Sequence, residues 1–384
     1  MRIFQILETS TNASVPRNAT WRRNLYEPLV EMGHDVVLVP ADAAVSAMNK
    51  RDRAAQARFS EKVLELFRRE NNARPFDLVF AYVKEGMLDI AAIDELRRAG
   101  APCCNFSCNN VHQFDLVAPL APHFDYNLHS EQSASEKFRA IGARAVYWPM
   151  ASNPKYFHPV SVQRTVDVSF VGSEYANRAE YVHALLTAGT DVHVFGPGWT
   201  PTNRRIRTAL KRCYLGVSAI LARSDRRWSA SSRLAAFDRI DTLNHRYAGH
   251  FHPPLTDEEL IALYSRSVLS LGIIDVYDGH DASRPLLQHM HLRDFEAPMC
   301  GALYITGYMP EIEQHFVPGR EILVYRNRHE LVDQVKHYLA KPAEGDRIRE
   351  AGHRRALSDH TYHKRFHDLF RALGLAKLAG KVTA

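Results

Sequence analysis

The chain has 384 residues, of which 46% are hydrophobic and 24% charged, which is enough apolar material for two ordinary domains and excludes bulk disorder. Five cysteines, an odd number without any Cys-x-x-Cys spacing, exclude a disulfide framework and a cysteine zinc site. A net charge of +6 leaves three classes of partner open: nucleic acid, an anionic membrane face or a phosphorylated small molecule.

MRIFQIL begins directly as a strand, and no apolar run approaches the ~18 residues of a spanning helix. A cytoplasmic location is therefore expected. Strand Arg2–Leu7, a helix over Thr20–Met32 with Trp21, Leu25, Leu29 and Val30 on one side, Gly33 at its end and strand Val36–Val39 form a βαβ unit with parallel strands. The loop after the first strand lies at the ligand edge of such a sheet, but it has no Gly-x-Gly-x-x-Gly run. Thr9, Ser10, Thr11 and Asn12 read as acceptor-side hydrogen bonders or turn formers. Helix Phe59–Arg69, strand Asp77–Tyr82, helix Leu88–Arg98 and strand Ala101–Phe106 follow. The last of these opens into SCNNVHQFD, where polar side chains crowd a strand's carboxyl end. Strand Asp125–Leu128, helix Glu131–Ala140 and strand Ala145–Trp148 complete an N-terminal domain of residues 1–150.

Residues 149–160, PMASNPKYFHPV, carry three prolines without periodicity and read as an interdomain linker. The second domain, 161–358, opens with strand Val166–Val171, then Gly172 and Ser173, a helix over Arg178–Ala188 and strand Asp191–Phe195. A strand giving way to a helix at Gly172 and Ser173 presents backbone amides and a helix dipole suited to phosphate. A basic insertion spans 200–247, with ten arginines and lysines between Arg204 and Arg239 and with Leu210, Leu215, Val217, Ile220 and Leu221 interleaved. It reads either as an amphipathic helix on an anionic membrane, giving peripheral contact through 204–246 at the inner face, or as a solvated helical hairpin packed on the domain. Thr256 and Glu259 have capping-box spacing ahead of helix Leu260–Ser265, and Val268–Ile274 is the next buried strand. Asp278, His280 and Asp281 then crowd a polar loop.

The most informative stretch is His291–Tyr325. If His291–Met299 is helical, Arg293 and Glu296 share a face, since positions three apart are neighbours. Such a pair is either a surface ion pair or a nucleotide site in which the guanidinium meets a diphosphate and the carboxylate accepts from ribose hydroxyls. Strands Ala302–Thr306 and Ile322–Tyr325 flank a helical turn at Glu311–Phe316, helix Glu330–Leu339 follows, and a final helix from His360 to Leu373 lies in the segment 359–384.

Arg293, Phe295, Glu296, Cys300 and Gly301, followed by Glu311, Glu313, Pro318, Gly319, Glu321 and Ile322, resemble the C-terminal half of the group-1 glycosyltransferases, and most of all their CgeB-like branch. Asp-Val-Ser-Phe-Val-Gly-Ser with Arg178, and Phe195-Gly196-Pro197-Gly198-Trp199, resemble that group's donor domain. The resemblance implies an α/β GT-B fold, two Rossmann-like doubly wound domains facing across a cleft, with the C-terminal helix crossing back to the first domain. It implies transfer of a sugar from a nucleotide-diphosphate donor to a hydroxyl of a glycan, lipid-linked or protein acceptor, with retention and without metal or other cofactor. Gly172, Ser173, Arg178, Arg293, Phe295, Glu296 and Gly301 would bind the donor, and His112 and Asp115 would lie near the reacting sugar. One position departs from the wider pattern: eight before Glu296, where a first glutamate is expected, stands Gln288. The alternatives are a nucleotide-sugar epimerase of the same architecture, which needs acids and histidines for proton transfer at carbon, and a basic non-catalytic protein binding nucleic acid or an anionic surface.

Overall fold

The computed structural model describes residues 1–8, 19–41, 52–200, 242–278 and 284–376. Thr9–Asn12, His280, Asp281 and nearly all of the basic insertion, 201–241, lie outside them. The described residues divide into two compact units, one running to Tyr156 and resuming at Leu357, the other spanning Phe157–Ala356.

In the first unit β1 (Arg2–Glu8) is buried along its whole length, as expected of a strand covered on both faces. It pairs in parallel with β2 (Asp35–Ala41) on one side and β3 (Leu78–Tyr82) on the other. With β4 (Cys103–Ser107), β5 (Tyr126–His129) and β6 (Ala145–Tyr147) the sheet runs β2-β1-β3-β4-β5-β6. The first crossover is not one regular helix. A π-helical turn, Arg22–Tyr26, precedes α1 (Glu27–Glu31), and the Glu27 N–H reaches back to the Arg22 carbonyl. Pro28 follows at once and has no N–H to continue an α ladder, which accounts for the widened turn. Trp21, Leu25 and Leu29 are buried, but Val30 is 43% exposed and so leaves the expected stripe. α2 (Arg53–Ala73) starts earlier than expected because Asp52 accepts from the Ala55 N–H at 2.8 Å and caps it. Phe59, Val63 and Phe67 form its buried stripe. α3 (Ile90–Arg98), α4 (Asn110–Gln113) and α5 (Ser135–Ala140) complete the connections.

The second unit has β7 (Val166–Val171), α6 (Arg178–Thr187), β8 (Val192–Phe195), β9 (Phe251–His252), α7 (Asp257–Arg266) and β10 (Ser267–Leu271). The expected capping box is present, with Thr256 accepting from Glu259 N–H and Glu259 from Thr256 N–H. A short antiparallel pair, β11 (Asp275–Val276) and β12 (Leu287–Gln288), leads to α8 (Arg293–Met299), β13 (Tyr304–Gly307), β14 (Leu323–Tyr325) and α9 (Arg328–Ala340). The parallel sheet runs β14-β13-β10-β7-β8-β9. Val168, Phe170, Val192, Val194, Leu269 and Ile305 form the centre of its core. A helix absent from the sequence reading, α10 (Pro342–Asp359), docks through glycines: Gly345 lies against the Leu303 side chain and Gly352 against the Glu321 carbonyl.

α11 (Tyr362–Ala372) belongs to the first unit. Phe366 packs on Phe80 and Trp148, and the Trp148 indole N–H donates to the Arg365 carbonyl at 2.9 Å. The buried Arg365 guanidinium donates to the carbonyls of Pro149, Met150 and Asp359. Among the described residues no helix is long and apolar enough to cross a membrane. Both units are thus doubly wound parallel sheets, each a Rossmann-like domain.

Candidate functional site

In an open parallel sheet the chain winds outward in both directions from one pair of adjacent strands, and the loops leaving their carboxyl ends diverge and open a ligand crevice. In the second unit that pair is β7 and β10. The residue after β7 is Gly172 and the residue after β10 is Gly272. Neither position has room for a side chain. A Cβ on Gly172 would lie 2.9 Å from Phe170 Cζ and 3.2 Å from Arg178 Nη1, and one on Gly272 would run into the Tyr304 hydroxyl. The loop after β8 is locked to this edge. Gly196 has φ +148° and no space for a Cβ against the Gly172 carbonyl, which also accepts from the Trp199 indole at 2.6 Å.

Arg178 opens α6 and is 9% exposed. Its Nη1 donates to the Ser173 carbonyl at 3.0 Å, and its guanidinium lies near the rings of Phe170 and Tyr175. Burial, and then the charge of Arg293, lower its pKa to about 10. Arg293 opens α8 and is half-buried. The Nε of each arginine is buried without a hydrogen-bond partner among the described residues. Two guanidiniums that repel each other, each with an orphaned donor, form a site whose charge and donors an anion would satisfy. Glu296, 4% exposed, lies one turn along α8 from Arg293, and both act on the buried Tyr264 hydroxyl, whose pKa burial raises.

Beneath these groups is a polar floor that the sequence reading missed. Asp294, fully buried, accepts from His291 N–H at 2.6 Å, from Thr306 Oγ1 at 3.1 Å and from the Tyr304 hydroxyl, and burial raises its pKa to about 6. Tyr325 donates to the Gly272 carbonyl at 2.8 Å. Alternation along β13 and the glycine ending β10 were the signals available. Asp275 accepts from Asn177 at 2.7 Å and from Gln288 Nε2 at 3.1 Å, and the register of β11 and β12 sets Asp275 opposite Gln288. The residue at 288 therefore works here as a donor to a buried carboxylate.

Two expected donor-binding residues lie elsewhere than in the anion site. Phe295 is 1% exposed and packs on His315 and Phe316, fixing α8 from below. Gly301 ends α8 with φ +69°, the usual task of a glycine past a helix, and its carbonyl accepts from Arg349 at 2.9 Å. Ser173 is exposed beside Gly172. Asp278 pairs with Arg284 at 3.0 Å.

In the first unit His112 is half-buried on α4 and Asp115 is exposed just after it. The loop that carries them is organised by Glu131, which the sequence reading took only as a helix start. This carboxylate is 1% exposed and accepts from Asn109 N–H at 2.5 Å and from the Asn110 side chain at 3.1 Å. Burial raises its pKa to about 7. Asn109 itself has φ +64°, so the chain turns sharply at the end of β4. Cys103, Cys104 and Cys108 are thiols with pKa values raised by burial, as expected of buried hydrophobes.

A protein-family model described as glycosyl transferase-like matches residues 178–371. No curated protein sequence matches the chain. Among solved structures, sucrose-phosphate synthase from Thermosynechococcus elongatus aligns with TM-score 0.63 at 13% identity over 98% of this chain and 99% of that one. A glycosyltransferase from Rickettsia africae aligns with TM-score 0.58 at 10% identity over 100% and 99%. Anabaena HepE, in complex with UDP and glucose, aligns with TM-score 0.57 at 11% identity over 97% and 99%.

Proposed function

Because the chain belongs to the glycosyl transferase-like family, and is thus a glycosyltransferase, we propose that its second unit binds a nucleoside diphosphate-sugar with Arg178 and Arg293 on the diphosphate. The observation that carries this reading is the mutually repelling arginine pair at the strand switch point, each with a buried Nε lacking an acceptor among the described residues. A bidentate guanidinium suits phosphate oxygens, and Gly172 lets the β7 loop approach them with its backbone. Glu296 is assigned to the ribose hydroxyls. Uridine is the first base to test, since HepE is seen with UDP-glucose.

The reaction breaks the bond between the anomeric carbon and the diphosphate oxygen and forms one to an acceptor hydroxyl, whose proton leaves with the phosphate or a nearby base. Charge grows on the departing diphosphate, and fixed cations aimed at it stabilise that transition state. This supports a metal-independent reaction. The order Arg293, Phe295, Glu296, Cys300, Gly301 supports the CgeB-like branch and retention. His112 and Asp115 are assigned to the acceptor side, which a glycan, a lipid-linked sugar or a protein would occupy. For the basic stretch 204–246, peripheral contact with an anionic membrane face at the cytoplasmic side is one reading, beside that of a solvated helical hairpin.

The test is a thermal-shift panel of UDP, GDP, CDP, ADP and dTDP on wild type, Arg293→Ala and Glu296→Ala. A ligand at 100 times its Kd stabilises by about 2.7 kcal/mol. A shift with one diphosphate in wild type, lost in both variants, is expected. Absence of any shift in folded wild-type protein would sink the donor reading.

A further inference from the structure

At the other end of β8 lies a cluster of side chains that the donor site does not use. Asp191 directly precedes β8 and Gly196 directly follows it, so at about 3.3 Å per strand residue their Cα atoms are roughly 16 Å apart. Val192 and Val194 point into the core. Alternation therefore sends Asp191 and His193 to the opposite face of the sheet. The neighbouring strand repeats the pattern. Phe251 packs on the core, and register pairs Val194 with Phe251 and Phe195 with His252, which sets His250 beside His193.

We propose that Asp191, His193 and His250 bind a divalent transition-metal ion of the zinc type, with His252 orienting His193. One ligand atom from each of the three residues lies within 4.8 Å of the others. His193 Nε2 is 3.2 Å from Asp191 Oδ1, and His250 Nδ1 is 3.5 Å from the same oxygen. The remaining contacts are those that tune metal-binding imidazoles. His193 Nδ1 meets His252 Nε2 at 2.8 Å, which leaves Nε2 for the ion. His250 Nδ1 donates to the Val192 carbonyl at 3.1 Å, so in the neutral ring Nε2 is the nitrogen that keeps a lone pair. A second hydrogen bond of this kind fixes tautomer and ring orientation. The rings are further held by stacking, His193 on His252 and His252 on Phe195. Two imidazoles and one carboxylate form a borderline set that suits Zn²⁺, Ni²⁺ or Co²⁺ over Mg²⁺, with a fourth position open to water. Each ligand is partly exposed, so an ion can enter from solvent. The proposal stands independently of the donor site.

The experiment uses the full chain, stripped with a chelator and titrated with Zn²⁺, with Co²⁺ and with Mg²⁺, following heat of binding, melting temperature and visible absorption of Co²⁺. Wild type should take up one equivalent of Zn²⁺ tightly, melt higher with it, give a tetrahedral Co²⁺ spectrum and ignore Mg²⁺. Asp191→Asn, His193→Ala and His250→Ala should lose that equivalent, and His252→Ala should weaken it roughly 10–100-fold. His329→Ala, at an exposed histidine elsewhere, should bind as wild type does. Melting of the metal-free variants reports on folding, and Asp191→Asn changes an exposed side chain, so at least one variant tests binding alone. No uptake by wild type, or equal uptake by wild type and the three ligand variants, would overturn the proposal.

Discussion

At Gln288 a single amide nitrogen decides how the β11–β12 pair meets the buried Asp275, donating to it across 3.1 Å. Gln288→Glu, which would introduce the glutamate of the wider glycosyltransferase pattern, would set two carboxylates against each other. Its expected cost is about 1–3 kcal/mol at neutral pH, shrinking under acid as one of the pair takes a proton. Urea unfolding of both proteins at pH 7 and pH 4 measures this, and an equal difference at the two pH values would refute it. The glycines make a stricter case. Gly196→Ala combines a positive φ with a Cβ driven into the Gly172 carbonyl, so backbone must move. A loss of about 1–3 kcal/mol, together with loss of any nucleotide-diphosphate thermal shift, is expected. Residue types at strand ends were legible in the sequence because Gly-Ser and Gly-Pro-Gly are rare inside strands. The Asp294 floor was not, because an aspartate beside an arginine on a helix gives no sign of which of the two will be buried.

Helices with apolar stripes were legible as elements, and those without were not. α9 shows Leu331 and Val335 buried at helical spacing, whereas α10 buries Gly345, Arg349 and Gly352 among few apolar residues. Close backbone approach replaces an apolar stripe there, and hydropathy patterning is blind to it. The His193 and His250 cluster was hidden for a related reason, since β9 has only two residues and its register partners on β8 lie 57 positions earlier, Val194 with Phe251 (251 − 194 = 57). α11 depends on one cation. Arg365→Met would keep the stem but leave the carbonyls of Pro149, Met150 and Asp359 without this donor. A loss of roughly 2–4 kcal/mol is expected, with hydrogen exchange rising first in residues 360–372; uniform exchange across the first unit would mean that the helix does not depend on this hook.

Among the described residues, two buried carboxyls and two buried histidines with shifted pKa values shape the response to pH. Glu131 and Asp294 have folded pKa values of about 7 and about 6, above their ordinary 4.5 and 3.8, so their contributions are present at low pH and lost as pH rises through those values. His34 and His129, lowered by burial from 6.5 to about 4, contribute stability above pH 6.5 that is lost as pH falls. Between about pH 4.5 and 6.5 the slopes oppose each other, and the wild-type melting temperature should stay nearly level. Glu131→Gln removes one of the two carboxyls on the falling side of the balance. Its stability should climb with pH relative to wild type by about 2–3 kcal/mol across that window, and parallel profiles would contradict the assignment. The paired arginines also have a consequence for turnover. On the proposed reading, the spent nucleoside diphosphate carries one more ionisable phosphate oxygen than the donor, so Arg178 and Arg293 hold the product at least as firmly as the substrate. Nucleoside diphosphate should then inhibit competitively with an inhibition constant below the donor KM, and the pace of the reaction would follow the ratio of charged to spent nucleotide rather than the donor level alone.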